Sequence, residues 1–170
     1  MSQKGFTLVE LVVVTGIIIF LSAMLLVNWR PAAEEFALQR SAHKLAQDIR
    51  RASEMAMSAR EFQGSVPQGG YGFHVRFPSE TESYVLYADT NGNQRYDAAD
   101  GIVETVYLEQ EVIVHSVSKN NLSINFKPPN PTVSITPIST VADITLALKS
   151  DPTKIRSVII HISGLIEIEE

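Results

Sequence analysis

The sequence predicts an α+β protein in which a long N-terminal helix, half transmembrane and half amphipathic, packs on an antiparallel β-sheet domain of about eight strands. Three observations carry this. From Phe6 to Trp29 the chain is apolar, with Glu10 as its single ionisable side chain. From Leu38 to Ala59 apolar and small residues recur at helical spacing. Beyond a glycine-rich break at 64–70 no second long helix is visible, and short runs of alternating apolar residues follow one another to the end.

A helix rises about 1.5 Å per residue, so the segment from Phe6 to Trp29 covers a hydrocarbon core of about 30 Å. In a cleaved secretory signal the small-residue cleavage site follows the apolar run; here Gly5 precedes it, and cleavage there leaves the helix attached. An acid inside such a segment costs on the order of 3 kcal/mol near the centre and calls for a positive partner. A peptidase cutting after Gly5 would create one, an ammonium on Phe6 about one helical turn from Glu10. The plainer alternative is a permanent single-pass anchor with Glu10 at the headgroup level.

The ordered run Gly5-Phe6-Thr7-Leu8-Val9-Glu10, after a short polar leader and before an apolar helix, resembles the class III signal of type IV pilins and type II secretion pseudopilins. The resemblance implies that a prepilin peptidase cleaves after Gly5 and methylates Phe6, and that Glu10 aids assembly of the helices into a filament. It implies four regions: a leader at 1–5, a transmembrane and filament-core helix at 6–29, an amphipathic helix at 30–63 and a β-rich globular domain at 64–170. Lys4 and the starting amine on one side face Arg30 on the other, so charge leaves the orientation open. The resemblance places the leader inside and the domain outside, on the bacterial inner membrane.

A length of 170 residues suits one domain plus an appendage. The 14 Lys and Arg against 19 Asp and Glu give a net charge of −5, and loss of Lys4 with the leader makes the mature chain more negative still, which disfavours a generic nucleic-acid binder. The chain has no Cys, which removes disulfides and cysteine metal sites.

After Trp29, an interfacial aromatic, Arg30-Pro31 predicts a kink or short break, because proline disfavours helical geometry at the residue before it. The helix then resumes to about Phe62. Leu38, Ala42, Leu45, Ile49, Ala52, Ala56 and Ala59 form its core stripe, while Arg40, His43, Lys44, Gln47 and Arg51 fall on another, solvated face. Tyr71, Phe73, Val75 and Phe77 alternate with Gly72, His74 and Arg76, which predicts a half-buried strand. Further strands are expected at 83–88, 102–108, 112–117, 122–126, 143–148, 157–162 and 165–168. The segment 127–137 holds Pro128, Pro129, Pro131 and Pro137 and reads as a long connection or an edge.

Beyond the signal, the layout resembles the GspH/FimT branch of minor pilins and pseudopilins. The residues that carry it are Gly70-Tyr71-Gly72-Phe73, the run from Tyr84 to Asp89 leading into Asn91-Gly92-Asn93, Ile124-Asn125-Phe126, and the stretch from Val158 to Gly164. The resemblance implies two β-sheets against the globular half of the helix, and a low-abundance subunit at or near a filament tip. Some relatives bind DNA through a basic carboxy-terminal motif. This chain instead ends Glu167-Ile168-Glu169-Glu170, which leaves a basic patch on the helix together with Lys149, Lys154 and Arg156 as weaker candidates for phosphate contact.

The loop from Asp89 to Asp100 places oxygen side chains at the first, third, fifth, ninth and twelfth positions of a calcium-loop frame: Asp89, Asn91, Asn93, Asp97 and Asp100. Gln94 stands where that frame has Gly, and Asp100 where it has a bidentate Glu. A plain turn built on Asn91-Gly92 is the competing reading. His43, His74, His115 and His161 lie on separate elements, and no nucleophile, acid–base or phosphate-loop pattern is present. The expected function is therefore structural and not enzymatic: a subunit of a type II secretion pseudopilus or type IV pilus, with other pilins or pseudopilins, the prepilin peptidase and the inner membrane as partners. The rivals are a DNA-uptake receptor pilin and a permanently anchored ligand- or calcium-binding module.

Overall fold

The computed structural model describes residues 5–27, 29–128 and 132–169, with the side chains of 26, 27 and 29–31 left out. Lys4, Pro129, Pro131 and Glu170 lie outside the described residues, as does the side chain of Trp29. The chain divides into two compact units, Met1–Glu34 and Glu35–Glu170.

The first unit carries helix α1 (Leu8–Val27). Every described side chain from Phe6 to Leu25 is exposed, and by length and composition α1 is apolar enough to cross a membrane. Helix α2 (Trp29–Met57) starts before Pro31, so the expected break at Arg30-Pro31 is absent.

The second unit holds the core. From α2, Leu38, Ala42, Leu45, Ile49, Ala52 and Ala56 are buried, joined by Ala37, Ala46 and Met55. Each fully buried Leu or Ile contributes on the order of 2 kcal/mol. The helix stops at Met57, short of the expected Phe62, and Ala59 is exposed. Its end is a Schellman motif: Arg60 N–H donates to Met55 C=O (3.1 Å) and Ala59 N–H to Ala56 C=O (3.1 Å), with Ala59 at φ 48. The motif places in the left-handed region an alanine that sequence spacing assigns to the stripe.

The basic face of α2 is more than solvated. Arg40 grips Glu109 with two bonds (2.9 and 2.6 Å), Arg51 meets Glu104 (2.6 Å), and Lys154 reaches back to Glu35 (3.1 Å). Exposed pairs of this kind add little to stability, because water screens the charges and two long side chains must be ordered to form each one. Inside, Tyr84 donates its hydroxyl to buried Asp48 (2.7 Å).

Among the described residues nine strands form two antiparallel sheets. They are β1 (Gly70–Val75), β2 (Ser83–Asp89), β3 (Gly101–Tyr107), β4 (Val112–Val117), β5 (Leu122–Lys127), β6 (Thr132–Thr136), β7 (Val141–Leu148), β8 (Ile155–His161) and β9 (Ile166–Glu169). The five-stranded sheet runs β3-β2-β1-β5-β6 and the four-stranded sheet β4-β7-β8-β9. The strand missed in the count of about eight is β6, within the proline-rich segment. It pairs with β5 alone, so its other side carries no ladder and proline at its flanks is accommodated.

A second difference concerns β1, all of whose residues are buried although the sequence predicts one wet face. Tyr71, Phe73 and Val75 join the core, while Gly72 and His74 lie under the loop at 90–100 on the opposite face.

Candidate functional site

The candidate assembly site is the start of α1. Glu10 N–H donates to Thr7 Oγ1 (3.2 Å), while Glu10 Oε2 accepts from the Thr7 N–H and hydroxyl (both 3.3 Å). This is a capping box, with Thr7 at the N-cap and Glu10 three residues on, so two otherwise unpaired donors are satisfied reciprocally. The Thr-x-x-Glu spacing is itself a sequence signal for a helix start, and the motif-based reading above leaves it unused. Phe6 is 84% exposed, and no atom lies within 4 Å of where a Gly5 side chain would begin. The peptide between them is thus open, and Glu10 in the uncleaved chain already has a local partner.

The loop at 90–100 is knitted from within. Asp89, fully buried, accepts from Gly92 N–H (2.7 Å) and Gln94 N–H (2.8 Å). Asp97 accepts from the carboxamides of Asn91 (3.1 Å) and Asn93 (2.5 Å), and from Ala99 N–H (2.8 Å). These bonds, that from Ala99 foremost, hold the Asp97 carboxyl below its ordinary range. Asp100 accepts from Thr90 N–H (3.2 Å) and Asp97 N–H (2.9 Å), and burial pushes its carboxyl upward. Asn91, Asn93 and Asp97 therefore converge, while Asp89 and Asp100 turn toward backbone amides. Among the described residues no group of three or more His, Cys, Asp or Glu side chains is placed to hold a metal ion.

The structure also assembles a polar cluster that the sequence reading does not single out. Register places Gly72 opposite Tyr87 and Asn125, and His74 opposite Val85 and Ser123, on the outer face of the five-stranded sheet. His74 Nδ1 lies 2.9 Å from Ser123 Oγ, which also accepts from Tyr96 N–H (3.3 Å). The Tyr96 ring packs on His74 (4.6 Å) and Tyr87 (5.2 Å), and the Arg76 guanidinium lies 5.5 Å from its centre. Burial, and then the nearby Arg76 charge, press the His74 pKa down from 6.5 to about 4. A Ser–His hydrogen bond alone does not make a nucleophile: Ser123 is 2% exposed, and an imidazole of such low basicity is a poor general base near neutrality. The available signal was a polar residue at alternate positions of two strands, with a glycine opposite a tyrosine.

The remaining candidates are dispersed. His43 and His115 are exposed on α2 and β4, and His161 lies 3.7 Å from Glu167. Of the cations considered for phosphate contact, Lys149 pairs with Glu82 (2.6 Å) and Lys154 with Glu35.

An exposed apolar N-terminal helix, followed by a second helix packed on antiparallel sheets of nine strands, defines a type IV pilin-like fold. No family model matches the sequence, and no curated protein matches it. Among solved structures the chain is similar to the type IV minor pilin FimU of Pseudomonas aeruginosa, in two crystal forms. The TM-scores are 0.52 and 0.51 at 14% identity, over 78% of this chain and 93% and 88% of that one.

Proposed function

We propose that the chain is a structural, non-enzymatic subunit of a type IV pilus or type II secretion pseudopilus, a minor pilin or pseudopilin working at or near the tip. The observation that carries this is the fold shared with a minor pilin, joined to an exposed apolar helix that opens on Gly5-Phe6. In this reading a prepilin peptidase of the bacterial inner membrane cleaves after Gly5 and methylates Phe6. The globular domain faces the periplasm, and assembly buries residues 6–29 among the helices of neighbouring pilins or pseudopilins. The negative charge and the paired Lys149 and Lys154 weigh against DNA as a partner.

Changing Gly5 to Leu tests the first step. The variant is expected to keep its leader, to remain in the membrane and to be missing from sheared filaments; mass spectrometry of the amino terminus and blots of both fractions read this out. A variant that is cut and assembled normally would overturn the proposal. Comparing secretion and twitching in a deletion strain then separates secretion system from pilus.

A second reading places calcium at the loop through Asp89, Asn91, Asn93, Asp97 and Asp100. It is favoured by Gln94, which takes φ 62 at the position where a calcium loop uses Gly, so the frame is kept in backbone although not in residue type. A ligand that prefers the folded state stabilises it by mass action, about 2.7 kcal/mol at a hundredfold excess over Kd. Thermal melts in chelator and in millimolar calcium are expected to differ by several degrees if the ion binds; coincident curves remove it.

A further inference from the structure

We propose that His74 is a pH-sensitive latch for the 90–100 loop: its neutral ring holds Tyr96 on the outer face of the five-stranded sheet, and its protonation in acid lifts the loop while the sheet and α2 stay folded. This goes beyond the assembly role and does not rest on it. The bonds that shape the loop run between its own side chains and amides, including Thr90 Oγ1 to Ala99 C=O (2.8 Å), so it can move as a unit. Its hold on the sheet passes through Asp89 at its root, through Tyr96 at its middle, whose hydroxyl accepts from Arg76 (3.1 Å), and through Gln94 C=O, which accepts from the Thr136 hydroxyl of β6 (3.5 Å). Tyr96 is in turn seated by His74, Ser123 and Tyr87.

The groups facing His74 explain why its charge would break this seat. From its own strand comes the Arg76 guanidinium, and from the turn beyond comes Glu80, which already meets Arg76 (3.6 Å) and the Ser83 hydroxyl. The loop and β2 contribute the phenols of Tyr96 and Tyr87, and β5 contributes the uncharged Ser123. A protonated ring would thus be a second cation beside Arg76, partly buried between the Tyr96 ring and the sheet. The sign follows from linkage. Lifting the loop exposes the ring and removes the burial that presses its pKa down to about 4, so the open form binds a proton more readily than the closed one, and opening grows as pH falls toward 4.

Hydrogen exchange on the full-length protein in detergent micelles, corrected for the intrinsic pH dependence of exchange, measures this directly. Protection of the amides at 90–100 is expected to fall between pH 7 and pH 4, with β1, β5 and α2 unchanged. His74→Gln should make loop protection insensitive to pH over that range. Tyr96→Leu, which leaves the sheet intact, should return the His74 titration, followed by NMR, toward 6.5. The latch is overturned if loop protection does not change, if it is lost together with the sheet, or if His74→Gln keeps the pH response. A His74 titration still depressed in Tyr96→Leu overturns it too.

Discussion

Glu10→Val is expected to be cleaved after Gly5, to stay in the membrane, and to fall on the order of tenfold or more in sheared filaments. Insertion depends on apolar transfer summed along α1, which removal of an acid leaves intact or improves. In the proposed filament, assembly is a different demand: helices brought together in a low dielectric would require Glu10 to be matched by the Phe6 ammonium, and each 1.4 kcal/mol forfeited is about a factor of ten. The capping box adds a second role that Glu10→Val does not separate from the first. Glu10→Gln does separate them: glutamine serves at the third position of a capping box but carries no charge. If the charge pair governs assembly, the Gln variant should be as depleted as the Val variant. If Glu10 acts by starting the helix with Thr7, the Gln variant should enter filaments and Thr7→Val should be depleted instead. Wild-type levels for the Val variant would remove Glu10 from the assembly argument altogether.

Gly70→Ala should cost the Glu35–Glu170 unit about 3 kcal/mol or more and lower its melting temperature by roughly 10 °C. Gly70 sits at φ 85 where β1 begins, and an added Cβ would lie 2.1 Å from the Phe126 carbonyl oxygen. That atom belongs to the backbone of β5, whose ladder with β1 fixes its position, so the strain cannot be relieved by turning a side chain. Gly164 is the control. It has nearly the same φ, 88, but the nearest atom to its added Cβ is a Val133 methyl at 3.8 Å. Gly164→Ala should therefore cost about 1 kcal/mol, the backbone penalty alone. Equal losses from the two variants would show that conformation, not the approach of β5, sets the requirement at Gly70.

Much of this fold is legible in the sequence, and the parts that are not share a cause. The apolar run of α1 is a signal of length and composition, while the stripe from Leu38 to Ala56 and eight strands are periodic signals; all of them are local in the chain. The strand β6 escaped because prolines flank it and only an edge position reconciles the two. The end of α2 escaped because alanine fits a helical stripe far better than it fits φ 48. At the amino terminus, Gly5, Phe6 and Glu10 were recognisable as an ordered motif, and the pairing of Thr7 with Glu10 was readable by spacing. The seat of Tyr96 was beyond reach: it is built from residues on two strands and a loop, brought together by register and not by any local pattern.

The ion pairs along α2 have a mechanical consequence. Glu35, Arg40 and Arg51 are spaced along α2, and their partners Lys154, Glu109 and Glu104 come from both sheets or the turns beside them. A pull applied to the amino end of α2, parallel to its axis, loads these attachments and the buried stripe in shear, so many contacts resist at once. Peeling the helix sideways would break them one at a time. A domain dragged by its own helix in this way resists detachment through its unfolding rate, a property that an equilibrium melt does not report.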